Sequence, residues 1–150
     1  MTERTLRQLV YVFATVCILI VLLGFIPSFT IGRGYLFGIY KTDMWDDILH
    51  ITSALAAAGA AFYSTYAVLY FFKIIGTLYT LDAMFGFFFE HGFLDLSIFL
   101  HETVPFGFGM RLAANTPHFI MGLFALYVGF VLSKKIRTSP SEQPTSYDMG

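Results

Sequence analysis

Histidines and carboxylates carry the clearest chemistry in this chain, and two of the histidines sit in stretches that read alike. His50 closes Asp47-Ile48-Leu49-His50, and His118 closes Asn115-Thr116-Pro117-His118. Beyond each one, small residues recur at matching offsets: Ala54, Ala57 and Ala61 in the first, Gly122, Ala125 and Gly129 in the second. Asp47 and Asn115 are good helix N-caps, because a short side-chain oxygen accepts from a backbone N–H left free in the first turn. Pro117 suits that turn, where no intrahelical donor is lost. Each histidine then sits where the positive end of the helix dipole disfavours imidazolium, so a neutral ring results. Such a ring either pins one helix to another by a hydrogen bond or ligates a metal. As ligands, His50 and His118 have His101 and Glu102 as supplements and His91 nearby. Imidazole with carboxylate suits zinc, copper or iron, and a facing histidine pair suits haem. No HxxxH or HxxEH spacing supports this, and His91 and His101 adjoin Glu90 and Glu102 as ordinary interfacial residues do.

Asp82 is the other residue with a chemical claim. It lies inside an apolar run, where an ionisable group is costly and marks a functional site by default. Proton relay and cation coordination are the roles open to it. With no basic residue at its depth it is protonated, hydrogen-bonded to groups such as Tyr79, Thr80 or Tyr66, or wetted by a cavity; otherwise it is a buried polar group that specifies helix pairing, or the third span is displaced and Asp82 lies shallower. Other chemistries are missing. GxSxG and HExxH are absent, and Gly32, Gly34 and Gly38 around Arg33 have no following Lys-Ser/Thr to make a phosphate loop. Cys17 is alone, so there is neither an internal disulfide nor a CxxC pair.

The elements that must position these residues are membrane helices. The chain is 57% hydrophobic and only 13% charged, with a mean hydropathy of +0.69, which is the composition of a chain dissolved in lipid. No basic patch suggests nucleic acid. A helix needs about 20 residues to cross ~30 Å of hydrocarbon. Spans are predicted at about 8–29, 47–72, 74–89 and 115–133. The first is read as a retained helix rather than a signal peptide, since its apolar stretch is long and no small-x-small cleavage site follows. Arg4, Arg7, Lys73, Lys134, Lys135 and Arg137 fall on one side, against Arg33, Lys41 and Arg111 on the other. That places both termini in the cytoplasm of a multi-pass plasma (inner) membrane protein, with Lys73 at a tight inner turn. Outside lie Thr30–Asp46 and Glu90–Ala114. The second reads as an interfacial helix over Phe93–His101 anchored by Phe106, Phe108 and Met110, or as a lid. Residues 138–150, rich in Ser, Pro and Thr, read as a disordered cytoplasmic tail after a transmembrane domain of residues 1–137.

The expected fold is therefore all-α: a four-helix transmembrane bundle whose second and fourth helices form an internal repeat and pack small face to small face. In this the sequence resembles a family of uncharacterised prokaryotic four-helix membrane proteins whose second and fourth helices open with Asn/Asp-x-x-His. The likeness covers Leu36 to Lys135 and rests on Asp47, His50, Asn115, His118, Gly122 and the order of spans. It implies the fold and no activity. The long Glu90–Ala114 connection and Asp82 depart from the pattern. The leading functional expectation is a noncatalytic structural, accessory or partner-binding role in the bilayer, as a homo-oligomer or within a larger complex that docks on the aromatic MFGFFF surface. A metal- or haem-binding protein comes second, and a small carrier or proton-coupled channel built on Asp82 third.

Overall fold

A computed structural model describes residues 2–31, 35–100 and 107–135. The chain is mostly helical. Helix α1 (Glu3–Gly24) is capped by Thr2, whose hydroxyl accepts from Thr5 N at 3.1 Å. Three two-residue strands follow, β1 (Thr30–Ile31), β2 (Tyr35–Leu36) and β3 (Tyr40–Lys41), paired antiparallel in that order. Phe37 and Gly38 take positive φ, as the tight β2–β3 turn demands. This small sheet corrects the all-α expectation for the Thr30–Asp46 connection. Tyr35-Leu36 and Tyr40-Lys41 flank the turn with β-favouring tyrosines.

Helix α2 (Met44–Tyr63) starts three residues earlier than expected because Asp43, not Asp47, caps it. Asp43 Oδ1 accepts from Trp45 N at 2.9 Å and Asp46 N at 3.1 Å. The helix stops at Ser64, whose extended backbone breaks it and whose hydroxyl accepts from Ala67 N at 3.0 Å to cap α3 (Thr65–Phe89). The span expected at 74–89 thus grows to 25 residues. Lys73 lies within it rather than at a turn, stacked over the Tyr70 and Phe130 rings. After a single turn, α4 (Ser97–Leu100), comes α5 (Phe108–Leu126), which continues as a π-helical turn over Tyr127–Val131 and a 3₁₀ turn over Leu132–Lys135. The interfacial helix expected over Phe93–His101 is reduced to α4, and Phe108 and Met110 belong to the first turn of α5. His101, Glu102, Phe106 and the tail at 138–150 lie outside the described residues.

Among the described residues, three helices are long and apolar enough to cross a membrane: Glu3–Gly24, Thr65–Phe89 and Phe108–Lys134. Helix α2, with Asp46 and Asp47 in its first turn, is not among them. The main packing pairs are α3 with α5 and α1 with α2, while α2 also lies along α3. This corrects the expectation that the second and fourth helices pack small face to small face. Ala54, Ala57 and Ala61 are buried with α1 residues Leu6, Val10, Phe13 and Cys17, and Arg7 Nη1 donates to Ala61 O at 2.7 Å. Gly122 of α5 and Gly129 of the π-helical turn lie on α3 instead. A Cβ on Gly122 would come 2.6 Å from Thr80 N, and one on Gly129 3.0 Å from Lys73 N. Gly76 of α3 answers them, since a Cβ there would lie 2.6 Å from Leu126 N. Small residues at these points let the two backbones approach closely.

Candidate metal centre

Asp46, His50, Tyr79, Asp82 and His118 converge at the end of the bundle where α2 begins and α3 ends. At 1.5 Å per residue, His50 lies about 9 Å into α2 and Asp82 about 10 Å from the end of α3. His50 is 2% exposed, Asp82 1% and Tyr79 0%. The two aligned histidines do meet: their ring centroids are 5.6 Å apart. The Tyr79 ring packs on both, 4.9 Å from His118 and 6.5 Å from His50, and its hydroxyl shares a 3.0 Å hydrogen bond with Ser53.

Hydrogen bonds constrain which nitrogen each ring offers. His50 Nδ1 lies 2.9 Å from the Asp46 backbone carbonyl, an acceptor only, so Nδ1 carries the proton. Asp46 Oδ1 also stands 3.3 Å from that nitrogen. His118 Nδ1 lies 2.7 Å from Asp82 Oδ2, and if the carboxylate is ionised the proton is again on Nδ1. Both rings then keep their lone pair on Nε2. The other Asp82 oxygen, Oδ1, accepts from Phe93 N at 2.7 Å and Leu94 N at 2.8 Å. Asp82 thus lines the cavity, and its hydrogen-bond partners are His118 across on α5 and the loop after α3, rather than Tyr79, Thr80 or Tyr66.

One donor atom from each of Asp46, His50 and His118 lies within 4.8 Å of the others. Ligands about 2.0–2.2 Å from a tetrahedral ion stand about 3.3 Å apart, so the three close by on the order of 1 Å to hold one. The trio opens on a cavity of about 310 Å³. Its lining includes apolar Ile20, Leu23, Leu36 and Ile39 and polar Asp82, Glu90, His91 and Asp95, and no Lys or Arg is among the described lining residues. Glu90 is ion-paired with Arg111, so Asp95 and Asp46 are the lining carboxylates that would draw a cation in.

Of the residues singled out by sequence, the fold unites His50, His118 and Asp82 and sets His91 on the cavity wall. Asp47 and Asn115 are not caps. Asp47 lies inside the first turn of α2. Asn115 lies well inside α5, where Nδ2 donates to Arg111 O at 2.8 Å, and Pro117 is an interior residue. The sequence reading passed over Asp46, although it lies four residues before His50 and hence on the same helical face. Comparisons with family models, with curated proteins and with solved structures found no match for this chain.

Proposed function

We propose that this chain is a four-span membrane protein that binds one divalent transition-metal ion, with Asp46, His50 and His118 as its ligands. The observation that carries this reading is the trio itself: two imidazoles and a carboxylate, from α2 and α5, on a cavity with no Lys or Arg among its described lining residues. Two nitrogens and one oxygen suit zinc or its first-row neighbours, and three protein ligands beside a cavity leave a coordination position open. A bare ion fits better than haem, because the Tyr79 ring already occupies the space against both histidines.

Crossing by α2 is supported by its partner. It runs back along α3 from Ser64 to the Ser53–Tyr79 hydrogen bond, so a membrane-spanning α3 carries α2 with it. Arg4 and Arg7 in α1 and Lys134 and Lys135 at the end of the last helix favour cytoplasmic termini and an outward-facing metal site.

The test is metal content. Protein purified in detergent, stripped and resupplied with Zn²⁺ should retain about one ion per chain by elemental analysis, and the double variant His50→Ala, His118→Ala should retain none. A double variant that folds and holds as much zinc as the wild type, or a wild type that holds none, would leave the histidines as pins between helices.

A further inference from the structure

Asp82 lies outside the donor trio yet touches one of its members, and what holds it there is a loop. Its carboxylate has three partners: His118 Nδ1 on one oxygen, and the backbone N–H groups of Phe93 and Leu94 donating to the other. Gly92 seats that loop. A Cβ there would lie 2.6 Å from Asp82 Oδ1 and 2.8 Å from Oδ2, so no larger residue fits without pushing the loop off the carboxylate. The same segment lines the cavity through Gly92, Asp95 and Ser97.

We propose that Asp82 is the positioning residue of the metal centre and that the Gly92–Leu94 loop clamps it, so that ion binding at His118 and closure of this loop form one linked equilibrium. This rests on the metal reading above. By holding the proton on Nδ1, the carboxylate leaves the His118 Nε2 lone pair for the ion and makes that nitrogen a better donor. The ion in turn strengthens the Nδ1–H···Asp82 bond, which steadies the acceptor that Phe93 and Leu94 share. Linkage makes the coupling reciprocal.

Asparagine at position 82 has a single acceptor oxygen. Aimed at the loop, that oxygen leaves an NH₂ facing His118, which shifts the ring proton to Nε2 and blocks it as a ligand. Aimed at His118, it leaves an NH₂ against the Phe93 and Leu94 N–H groups. Asp82→Asn should therefore weaken Co²⁺ binding about 10- to 100-fold and alter the visible Co²⁺ spectrum. Gly92→Ala, which changes no ligand, should weaken it in the same direction and speed amide exchange at Phe93 and Leu94. In the unmodified protein, Zn²⁺ should slow exchange at those two amides, a readout that survives even if a variant fails to fold. A wild type that binds Zn²⁺ and Co²⁺ with no slowing at Phe93 and Leu94, or variants that bind Co²⁺ like the wild type, would overturn the clamp and leave the metal site standing. A wild type that binds neither ion would overturn both.

Discussion

Asp95 sits half-buried on the cavity wall, where its Oδ1 accepts from Ser97 N at 3.0 Å and its Oδ2 from the Ser97 hydroxyl. Burial pushes its pKa above the ordinary value; the two Ser97 bonds oppose the rise, and the Asp82 and Asp46 carboxylates add to it. The folded state therefore binds this proton more tightly than the unfolded chain. Its stabilising contribution is full below the unfolded value of about 3.9 and is lost as pH rises through the higher folded value. Asp95→Asn keeps the acceptor for Ser97 N and cannot ionise, so thermal midpoints between pH 4 and pH 7 should vary less for the variant than for the wild type. Equal slopes would show that Asp95 ionises without cost. Residues of the site were legible to different depths in the sequence. The Asn/Asp-x-x-His likeness picked out His50 and His118, and an acid in an apolar run picked out Asp82. Their union was not legible, because the His118–Asp82 bond joins residues 36 apart. Asp46 is hidden by its neighbours: of three acids within five residues, each has the chemistry of a cap, and only the fold shows that Asp43 is the one.

Element boundaries decided where the sequence reading failed. A continuous apolar stretch from Asp47 to Phe72 hides the break at Ser64, since neither Pro nor Gly marks it, and only the Ser-Thr pair before an apolar run signals a new N-terminus. Moving that break from Lys73 to Ser64 gives α3 the length to reach from the Ser64 cap to Asp82 and Phe89. At the start of α2, Asp43→Ala should cost about 1 kcal/mol of stability in thermal or denaturant unfolding in detergent, whereas Asp47→Ala should cost little. The α3–α5 seam is more sensitive. A side chain at Gly76 meets backbone atoms, with Ala125 C at 3.0 Å as well as Leu126 N at 2.6 Å. Gly76→Leu should therefore force the helices apart and cost about 1–3 kcal/mol, read as a lowered melting midpoint. A midpoint within a degree of wild type would mean that this seam is looser than its geometry.

For the molecule as a whole, the membrane class and the helical content were legible from composition, while the number of crossings turns on α2. In a Cys17→Ser background, single reporters Ile31→Cys and Tyr63→Cys sit at exposed positions near opposite ends of α2. A membrane-impermeant maleimide added to intact cells should label only Ile31→Cys, and Tyr63→Cys only after the membrane is opened. Labelling of both from one side would confine α2 to a single face. The one-residue joint at Ser64 also bears on how the chain reaches its membrane. Helix α2 holds two acids and a run of alanines, too little to partition into lipid unaided, and its apolar partner α3 is synthesised after it. The two should enter as a hairpin. Insertion of α2 would then wait until the ribosome has made most of α3, so for a time during synthesis Asp46, which later lines the cavity, would still be on the side where translation takes place.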